Sequence, residues 1–461
     1  MNLLVNKFVI NDKYSIAEAL KHISKNMSGI VFIVDSKKRL IGSFSDGDYR
    51  KASLRKDLDI DIHKDQVTFV MNQTPKYIYN DEYSREALLN FFSTGFSFIP
   101  SLDSKKRVIK ILSIENAFKG IPNINRVFSK APLRCSLAGG GTDLYEFYKD
   151  HGGAIISFSI NQYVHCLIED SNDGIQLDCK DINLNINIKN KLEIEEKIKK
   201  YPNSELVLRV VQKYLKEDAI KISIWSDVHV GSGLAASTSL VVALIKGLDK
   251  RYSIQRSRSL LAEEAFELER IHLKQGGGWQ DQYLASYGGL NLIEFSHKKG
   301  NSIKKIPISH TQKGILENCL LLVNTNMSHD SKEQQAVLID SFSDKAKVET
   351  LKTMARRAKN LYKHLSEGNI DNLGTILHKN WILKKSTSKA ISNKKIDEIY
   401  ERLMSYGAVG GKLLGSGSGG FFLVYVNLND LHNFKKECYK YKFEVLNIQF
   451  DNLGAVAWEI S

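Results

Sequence analysis

The sequence predicts an α+β protein in which mixed β-sheets and helices pack in two layers, preceded by a smaller duplicated unit. Two observations support this prediction. Segments that alternate like strands, such as 155–168 and 175–188, are interspersed with segments that carry helical stripes of apolar residues, such as 205–216 and 341–405. In addition, two stretches within the first 120 residues repeat each other.

Length and composition favour a soluble protein of several domains. The chain has 461 residues, which is more than a single hydrophobic core usually organises. Of these residues 43% are hydrophobic and 25% charged, a composition typical of globular proteins. No apolar run is long enough to span a bilayer, and the start lacks the basic and apolar regions of a signal peptide. We therefore predict a cytoplasmic protein without a membrane partner.

The formal net charge of +13 is compatible with nucleic-acid binding. However, the lysines alternate with acids along helical faces, as in 193–200, and no basic tail, zinc finger or aromatic RNA-binding motif occurs. We predict no nucleic-acid partner, because the basic surplus suits small polyanionic substrates equally well. The five cysteines are odd in number and far apart, and the histidines are scattered. These patterns predict no disulfide framework, zinc site or catalytic histidine.

The duplicated unit is predicted over residues 1–120. Each copy reads as helix, buried strand, charged turn, strand and helix, a βαββα unit that cannot bury its apolar faces alone, so both copies should form one domain. The repeated segments are 15–20 with 84–89 and 35–41 with 103–109, and the buried strands are 30–34 and 96–100.

This domain resembles a tandem pair of CBS domains, and the closest match is Gly-Ser-Phe-Ser-Asp-Gly-Asp at 42–48. The resemblance implies that Ser45 and Asp48 hold the ribose hydroxyls of an adenine nucleotide, since a carboxylate can accept both protons. The second copy has Asn116 in place of the aspartate, so at most one good nucleotide site is expected. The alternative is that the pair only docks or dimerises the enzyme, and we predict a homodimer.

The segment 120–125 breaks the pattern and is predicted to be the domain boundary. A strand is predicted at 126–137, and it runs into Gly139-Gly140-Gly141-Thr142-Asp143. Three glycines before an aspartate place a carboxylate where the backbone can approach a ligand closely.

A loop of small residues between a predicted strand at 219–225 and a predicted helix is a candidate phosphate-binding loop, called the phosphate loop below. A helix N-terminus carries unpaired N–H groups and partial positive charge, so such a loop can surround an anion. The loop lacks the Gly-Lys-Ser/Thr ending of a Walker P-loop, and for this segment alone an ordinary serine or threonine N-cap is the alternative. Its residues are Gly231, Ser232, Gly233, Leu234, Ala235, Ala236, Ser237 and Thr238.

Together these segments resemble the GHMP kinases, the superfamily of galactokinase, homoserine kinase and mevalonate kinase. The family's sugar-kinase motif Pro-x-Arg-x-x-Leu-x-Gly-Gly-x-x-Asp is matched by Pro132, Arg134, Leu137, Gly139, Gly140 and Asp143. Two further motifs follow in the family's order: the helix 257–273, which runs into a loop at 276–282, and the glycine-rich segment 407–423.

The resemblance implies a two-layer GHMP-kinase fold. Its N-terminal, ATP-binding half resembles ribosomal protein S5 and is expected over 126–310, and its ferredoxin-like C-terminal half over 311–461. A buried strand is predicted at 319–323 and a closing strand at 451–460. The helix 257–273 is predicted to bury Leu260, Leu261, Ala265, Phe266, Leu268 and Ile271.

The resemblance also implies the site of an ATP- and Mg²⁺-dependent sugar kinase. Ser237 and Glu269 are the implied metal ligands, with Glu267 as the rival of Glu269. Asp281 is the implied base, and Arg134 should pair with Asp281 or with the transferring phosphoryl group. The implied sugar-binding residues are Asp143, Gly140, Gly141, Thr142 and Gly417.

The form of the first and third motifs looks like the branch of D-glycero-D-manno-heptose 7-phosphate kinases, which phosphorylate the C1 hydroxyl in the synthesis of nucleotide-heptoses for capsules and surface glycans. The stretch from His378 through Trp381 to Lys384 also resembles that branch. A phosphate on the substrate needs cations, and Lys384, Lys385 and Lys412 are the candidates. The alternatives are a 1-kinase for an unphosphorylated sugar (fucose, arabinose or a uronic acid) and a nucleotide-sensing, inactive kinase scaffold.

One departure from the family concerns the phosphate loop. The family usually has Gly-Leu-Gly-Ser-Ser, where this chain has Gly-Leu-Ala-Ala-Ser with Ala235 and Ala236. Two methyl groups restrict the backbone and one hydroxyl is lost, so weaker nucleotide affinity or an altered loop geometry is expected.

Overall fold

The computed structural model describes residues 3–26, 28–53, 60–80, 88, 91–92, 97–113, 117, 126–216, 219–229, 231–327, 344–388 and 390–460. The chain divides into two compact units, residues 1–123 together with 460–461, and residues 124–459. All five cysteines are buried and free. Among the described helices, none combines the length and the apolar character needed to cross a membrane.

The N-terminal unit contains two similar three-stranded sheets. In the first, β1 pairs parallel with β2, which pairs antiparallel with β3; in the second, β4, β5 and β6 pair in the same way. The first copy has the predicted order β1-α2-β2-β3-α3. The elements are α1 (Leu3–Phe8), β1 (Val9–Asn11), α2 (Ile16–Asn26), β2 (Ile30–Val34), β3 (Leu40–Ser45), α3 (Asp46–Ser53), β4 (Ile78–Tyr79), β5 (Phe98–Leu102) and β6 (Val108–Ser113).

The repeat extends to the side chains of the charged turns. The carboxylate of Asp35 accepts hydrogen bonds from Nε and from the backbone N–H of Arg39, at 2.7 and 2.8 Å, and Asp103 does the same for Arg107 at the same distances. The second strand of the second copy lies at Phe98–Leu102 rather than at 96–100, because the pairing with β6 continues to Leu102. The repeated helical segment 84–89 lies outside the described residues, apart from Leu88.

An eight-stranded sheet forms the first half of the large unit. Its centre is the long strand β8. One edge of β8 pairs with β7, and the other edge pairs with β12 along the first residues of β8 and with β11 along the last. The sheet then extends through β9 and β10 on one side, β13 on another, and β18 beside β7. Its strands are β7 (Arg126–Ala138), β8 (Gly153–Asp170), β9 (Ile175–Cys179), β10 (Leu184–Ile188), β11 (Ile220–Ser226), β12 (Leu290–Phe295), β13 (Ser302–Lys305) and β18 (Val456–Ile460).

Helices cover this sheet. The helix that follows the phosphate loop packs against β7 and β8, and its side chains Val241, Val242, Leu244 and Ile245 are fully buried. Burial of these apolar side chains fixes the start of the helix, and therefore the loop, relative to the end of β7. The helices are α4 (Tyr145–His151), α5 (Ile194–Lys200), α6 (Glu205–Tyr214), α7 (Ala236–Arg251), α8 (Arg258–Phe266) and α9 (Gln280–Tyr287).

The C-terminal half contains a four-stranded antiparallel sheet in the order β15-β16-β14-β17. With its helices it follows a β-α-β-β-α-β plan, in which several helices separate the first two strands. The elements are α10 (His310–Cys319), β14 (Leu320–Asn324), α11 (Lys345–Ser366), α12 (Leu373–Thr387), α13 (Lys394–Ser405), β15 (Ala408–Leu413), β16 (Phe421–Val426), α14 (Leu431–Lys440) and β17 (Val445–Asn447).

Three details differ from the predictions. The segment 175–188 is two strands rather than one, because Asn183 adopts a left-handed conformation (φ 48°) and turns the chain between β9 and β10. The closing strand begins at Val456 rather than at 451. Leu260 and Ile271, predicted to be buried, are 45% and 61% exposed. Ile271 lies in the π-helix over Glu267–His272 that continues α8, where the helical stripe shifts phase, whereas Leu260 lies in the first turn of α8, before that irregularity.

Candidate active site

A cavity of about 820 Å³ lies in the large unit, where the ends of several elements converge. Its walls come from the glycines after β7, the phosphate loop before α7, the loop before α9, the last turn of α12 and the loop between β15 and β16. The predicted residues at these walls are Arg134, Gly140, Gly141, Asp143, Asp281, Lys384 and Lys412, together with all loop residues from Gly231 to Thr238 except Leu234.

The phosphate loop makes a tight turn into α7. Ala235 precedes the helix in a left-handed conformation (φ 69°, ψ 34°), and the helix begins at Ala236. The third motif packs directly on this loop, since a Cβ placed on Gly415 would lie 2.9 Å from the Cα of Gly233. Leu234 instead buries its side chain in the core, and its carbonyl accepts the backbone N–H of Arg134 at 3.2 Å.

Replacing Ala235 by glycine should stabilise the protein. A residue with a Cβ destabilises the folded protein by about 1–2 kcal/mol in the left-handed region, which glycine adopts freely. Glycine in turn lowers stability by roughly 0.5–1 kcal/mol, because it loses more conformational entropy on folding. We expect Ala235→Gly to raise the free energy of unfolding by about 1 kcal/mol in urea titrations. Ala236→Gly, at the first helical position, is the matched control and should lower it by up to about 1 kcal/mol. A lower stability for Ala235→Gly would contradict the strain.

Arg134 and Asp281 form an ion pair inside the cavity. Nε of Arg134 donates to Oδ1 of Asp281 at 2.7 Å, and Nη1 donates to the carbonyl of Gly233, also at 2.7 Å. Burial acts to raise the pKa of Asp281, but the charge and the hydrogen bond of Arg134 outweigh it and hold that pKa below its ordinary value. Of the two partners that the sequence allowed for Arg134, the ligand-free protein therefore has Asp281.

Asp143 lies beside Asp281 and is linked to it through Gln280. The backbone N–H of Gln280 donates to Asp143 at 3.2 Å, and its side-chain amide donates to Asp281 at 3.2 Å. Gly278 is in contact with Asp143, because an added Cβ would lie 2.2 Å from Oδ2. Burial and then the negative charge of Asp281 raise the pKa of Asp143. A buried carboxylate of this kind is suited to accept hydroxyl protons.

Two predicted sugar-binding residues do not present side-chain groups to the cavity. The hydroxyl of Thr142 is fully buried, donates to the carbonyl of Gly139 at 2.8 Å and accepts the N–H of Ala154 at 3.1 Å. It therefore closes the turn after β7. Gly417 packs against the backbone of Ile391 rather than facing the cavity, where its neighbour Ser416 lies.

Glu269, in the π-helix, is fully buried against the start of α7 and is not among the residues that line the cavity. Its carboxylate lies 3.3 Å from Oγ of Ser237 and accepts hydrogen bonds from Thr238 at 2.9 Å and from Gln282 at 2.7 Å. Burial raises its pKa. Its rival Glu267 points outward and pairs with Lys213 at 3.3 Å.

These groups fit the needs of Mg²⁺. A carboxylate and a hydroxyl oxygen adjoin the phosphate loop, and Mg²⁺ prefers one or two such hard ligands together with substrate phosphates. Within the described residues, no cluster of three or more histidines, cysteines or acids could hold a metal ion by itself. In the same loop, the buried hydroxyl of Ser232 has no hydrogen-bond partner in the described part of the chain.

Two of the three candidate lysines line the cavity. Lys384 donates to the carbonyls of Leu413 and Gly415, at 3.1 and 2.7 Å, and burial, aided by the charge of Arg134, lowers its pKa to about 7. Lys412 donates to the hydroxyl of Ser136 at 3.0 Å, and burial followed by the charges of Lys384 and Arg134 lowers its pKa well below the ordinary value.

Lys385 faces the other way and pairs with Asp397 at 3.0 Å. His378 and Trp381 also contribute to packing rather than to the cavity: Nδ1 of His378 lies 2.8 Å from the hydroxyl of Tyr400, and Trp381 is fully buried. The side chains of adjacent residues on α12 thus point in different directions, because successive residues of an α-helix are rotated by about 100°.

The sequence-based prediction missed two features of the cavity. Arg270, which immediately follows Glu269, lines it, and so does an apolar slot beyond the phosphate loop. The slot could have been anticipated from the apolar stripes of α6 and α7, but nothing in the motif pattern distinguished Arg270 from a surface arginine. The apolar residues of the slot are Ile182, Pro202, Leu206, Val207, Ile224 and Leu240.

In the N-terminal unit, Ser45 and Asp48 bond to each other. The hydroxyl of Ser45 donates to the carboxylate of Asp48 at 2.7 Å, and each side chain accepts the backbone N–H of the other residue, at 3.0 and 3.2 Å. This reciprocal arrangement caps the first turn of α3. The corresponding Asn116 lies outside the described residues.

Comparison with known proteins identifies the family of this chain. The family description "GHMP kinases N terminal domain" matches residues 203–289, and "GHMP kinases C terminal" matches 358–442. The D-glycero-alpha-D-manno-heptose 7-phosphate kinase of Campylobacter jejuni subsp. jejuni serotype O:2 is 30% identical over 334 residues, which are 72% of this chain and 98% of that protein.

Two further similarities are more distant. The bifunctional fucokinase/GDP-fucose pyrophosphorylase of Arabidopsis thaliana is 26% identical over 64% of this chain, which spans only 29% of that larger protein. The crystal structure of a D-glycero-D-manno-heptose 1-phosphate kinase from Bacteroides thetaiotaomicron superposes with a TM-score of 0.59 at 25% identity, covering 73% of this chain and 99% of that one. By its fold, its ordered motifs and its similarity to the Campylobacter kinase over 98% of that protein's length, the chain belongs to the GHMP kinase superfamily.

Proposed function

We propose that this protein transfers the γ-phosphoryl group of ATP to the C1 hydroxyl of D-glycero-D-manno-heptose 7-phosphate, in the synthesis of a nucleotide-heptose for a capsule or surface glycan. The observation that carries the proposal is the 30% identity to a heptose 7-phosphate kinase over 98% of its length. The buried cations of the cavity support it, since they suit an acceptor that carries its own phosphate.

The cavity offers a place for each part of this reaction. The apolar slot suits the adenine base, and the N-terminus of α7 suits the phosphates of ATP. Asp143 and the glycines after β7 bind the sugar ring, which brings the C1 hydroxyl to Asp281. The C1 oxygen attacks the γ-phosphorus, the bond from that phosphorus to the β–γ bridging oxygen breaks, ADP leaves, and the hydroxyl proton passes to Asp281.

Ser237 and Glu269 are the residues that would hold Mg²⁺. The ion, when bound, neutralises charge on the phosphates and orients them. The low pKa of Asp281 keeps this carboxylate ionised at neutral pH, so that it is ready to accept the proton. Its weak basicity means that it acts largely by orienting the hydroxyl until the O–P bond is well advanced.

We assign the acceptor's phosphate to Lys384 and Lys412. Lys384 donates two hydrogen bonds to carbonyls, which leaves one N–H group for a ligand, and Lys412 donates to a single hydroxyl. Lys384→Met or Lys412→Met should raise the KM for the phosphorylated sugar at least about tenfold, because a charge-assisted hydrogen bond contributes about 1.5–3 kcal/mol. Lys385→Met, which changes the outward-facing neighbour, is the control and should leave that KM unchanged.

The same assignment predicts a pH dependence. Since the pKa of Lys384 is lowered to about 7 in the ligand-free protein, its charge is lost as the pH rises through that value. The KM for the phosphorylated sugar should therefore rise between about pH 7 and 9 in the wild type, and the rise should be smaller in Lys384→Met. A KM that is independent of pH in the wild type would contradict the assignment.

A coupled ADP-release assay with phosphorylated and free sugars tests the proposed function. Turnover of heptose 7-phosphate supports it. Turnover of free sugars alone would favour a 1-kinase for an unphosphorylated sugar, the alternative to which the similarity with the Arabidopsis fucokinase points. No turnover with any acceptor would favour an inactive, nucleotide-sensing scaffold.

For residues 1–120 we propose a tandem CBS pair that regulates or dimerises a cytoplasmic kinase. The two sheets of equal connectivity and the matched Asp–Arg turns support a duplicated unit. Ser45 and Asp48 would have to release their mutual hydrogen bond to bind a ribose, which favours dimerisation over nucleotide binding. Calorimetric titration with AMP, ADP and ATP, compared between wild type and Asp48→Asn, tests the nucleotide role, and sedimentation tests the homodimer.

A further inference from the structure

Arg270 is a cation of the cavity to which neither the motifs nor the proposed reaction has given a role. It lies in the π-helix, one residue after Glu269, and lines the cavity. Its Nε is buried and has no hydrogen-bond partner in the part of the chain that the structure describes. Because an arginine stays charged at any physiological pH, a buried donor of this kind calls for an anionic partner.

The loop before α9 is shaped around the guanidinium group of Arg270. A Cβ on Gly277 would lie 2.8 Å from one terminal nitrogen of Arg270 and 2.9 Å from its Cζ, so the group rests directly on the backbone of this glycine. Gly277 also has a φ of 123°, which favours glycine on its own account. The loop therefore fixes the guanidinium plane at the wall of the cavity.

The charge of Arg270 acts on both of the carboxylates assigned to the reaction. Its positive charge acts to lower the pKa of Glu269, against the larger effect of burial, and it also lowers the pKa of Asp281. Yet it forms no ion pair within 4 Å with any acidic side chain among the described residues, whereas Arg134 is already engaged with Asp281 and Gly233. Arg270 thus brings to the cavity wall a guanidinium that is not paired with an acid among the described residues and whose charge acts on both the proposed metal ligand and the proposed base.

The group that passes between these two carboxylates is the transferring phosphoryl group. Its transition state spreads negative charge over three equatorial oxygens, and an arginine aimed at them is among the most effective ways to stabilise it. Resting on the proposed kinase function, we propose that Arg270 donates hydrogen bonds to the transferring γ-phosphoryl group and stabilises its charge in the transition state. Arg134 would then orient Asp281, and Arg270 would act on the phosphorus side.

Arg270→Gln and Arg270→Lys test this role. Arg258→Gln is the control, since Arg258 is an exposed arginine at the start of α8 that donates to the carbonyl of Tyr287 and does not line the cavity. We expect kcat to fall by about 10³ in Arg270→Gln, with each KM changed less than about threefold, because the interaction forms in the transition state. Arg270→Lys should recover only part of the rate, since an ammonium lacks the planar fork.

A binding measurement provides a readout that does not depend on turnover. In calorimetry with Mg²⁺, Arg270→Gln should bind a non-hydrolysable ATP analogue like the wild type but lose at least about tenfold in affinity for ADP with aluminium fluoride, a mimic of the transferring group. Arg258→Gln should bind both like the wild type.

The possible results separate the two proposals. Suppose that the wild type is active. The role of Arg270, but not the kinase function, would be overturned if Arg270→Gln kept a similar kcat, whether or not its KM for the phosphorylated sugar rose. A wild type that neither turns over a sugar nor binds ADP with aluminium fluoride would overturn the proposed function, and this inference with it.

Discussion

Asp281→Asn is expected to lower kcat by about 10²–10⁴ while leaving ATP binding intact. The amide oxygen of asparagine can still accept the hydrogen bond that Nε of Arg134 donates at 2.7 Å, so the position of the arginine should be kept. What the variant loses is the negative charge that receives the proton of the sugar hydroxyl. Steady-state kinetics combined with calorimetric titration of an ATP analogue would measure both quantities.

Asp143→Asn is the informative control for that experiment. Asp143 is linked to the same site through Gln280 but is assigned to the sugar ring, so its replacement should act mainly on the KM for the sugar. If Asp281→Asn kept a near-wild-type kcat, Asp281 would have no part in proton transfer, and the ion pair with Arg134 would be purely structural.

Glu269→Gln is expected to abolish activation by Mg²⁺ while making the ligand-free protein more stable. Loss of a charged ligand should reduce activity at least about 10²-fold, since even the outer partners of metal ligands contribute 10–100-fold. The free energy of unfolding of the ligand-free protein should rise, although activity falls. Because burial raises the pKa of Glu269, the folded protein binds this proton more tightly than the unfolded chain does, and stability falls as the pH rises through the raised pKa.

Glutamine cannot ionise, so this loss of stability at neutral pH should disappear in the variant. Thermal unfolding without Mg²⁺, measured across pH 4 to 8, should show a flatter profile for Glu269→Gln than for the wild type. Glu267→Gln is the matched control, because its side chain is 47% exposed and pairs with Lys213 at the surface. Equal Mg²⁺ activation in Glu269→Gln and wild type would remove Glu269 from the metal site.

The sequence predicted those parts of the site that depend on the order of motifs along the chain. Arg134 and Asp281 come from distant segments, and no local pattern relates them, yet the family resemblance brought them together as the structure has them. The duplicated N-terminal unit was also predictable, because its two charged turns are nearly identical in sequence. Residues 84–87, 89 and 114–116 of its second copy lie outside the described residues.

Side-chain direction within a motif was harder to predict. Lys384 and Lys385 were equal candidates, and only the packing of α12 shows that the first faces the cavity and the second faces Asp397. Ile271 was assigned to the buried face on the assumption of a regular helix, which the π-helix invalidates, whereas Leu260 precedes the π-helix and is exposed in the first turn of α8. The same irregularity concealed Arg270, because a period of 3.6 residues gives no reason to expect a buried Glu269 beside the phosphate loop and a cavity-lining Arg270 directly after it.

The π-helix over Glu267–His272 has a consequence for how this segment tolerates change. A π-turn contains one residue more than an α-turn, so removing a single residue would restore an ordinary helix with its backbone hydrogen bonds intact. The side chains around this turn would nevertheless be redistributed, because an α-turn holds one residue fewer, and Glu269 or Arg270 would lose its present position. Ile271, 61% exposed, should accept many substitutions, whereas a one-residue deletion here should yield a folded but inactive protein. The segment is therefore constrained in its length more than in its composition.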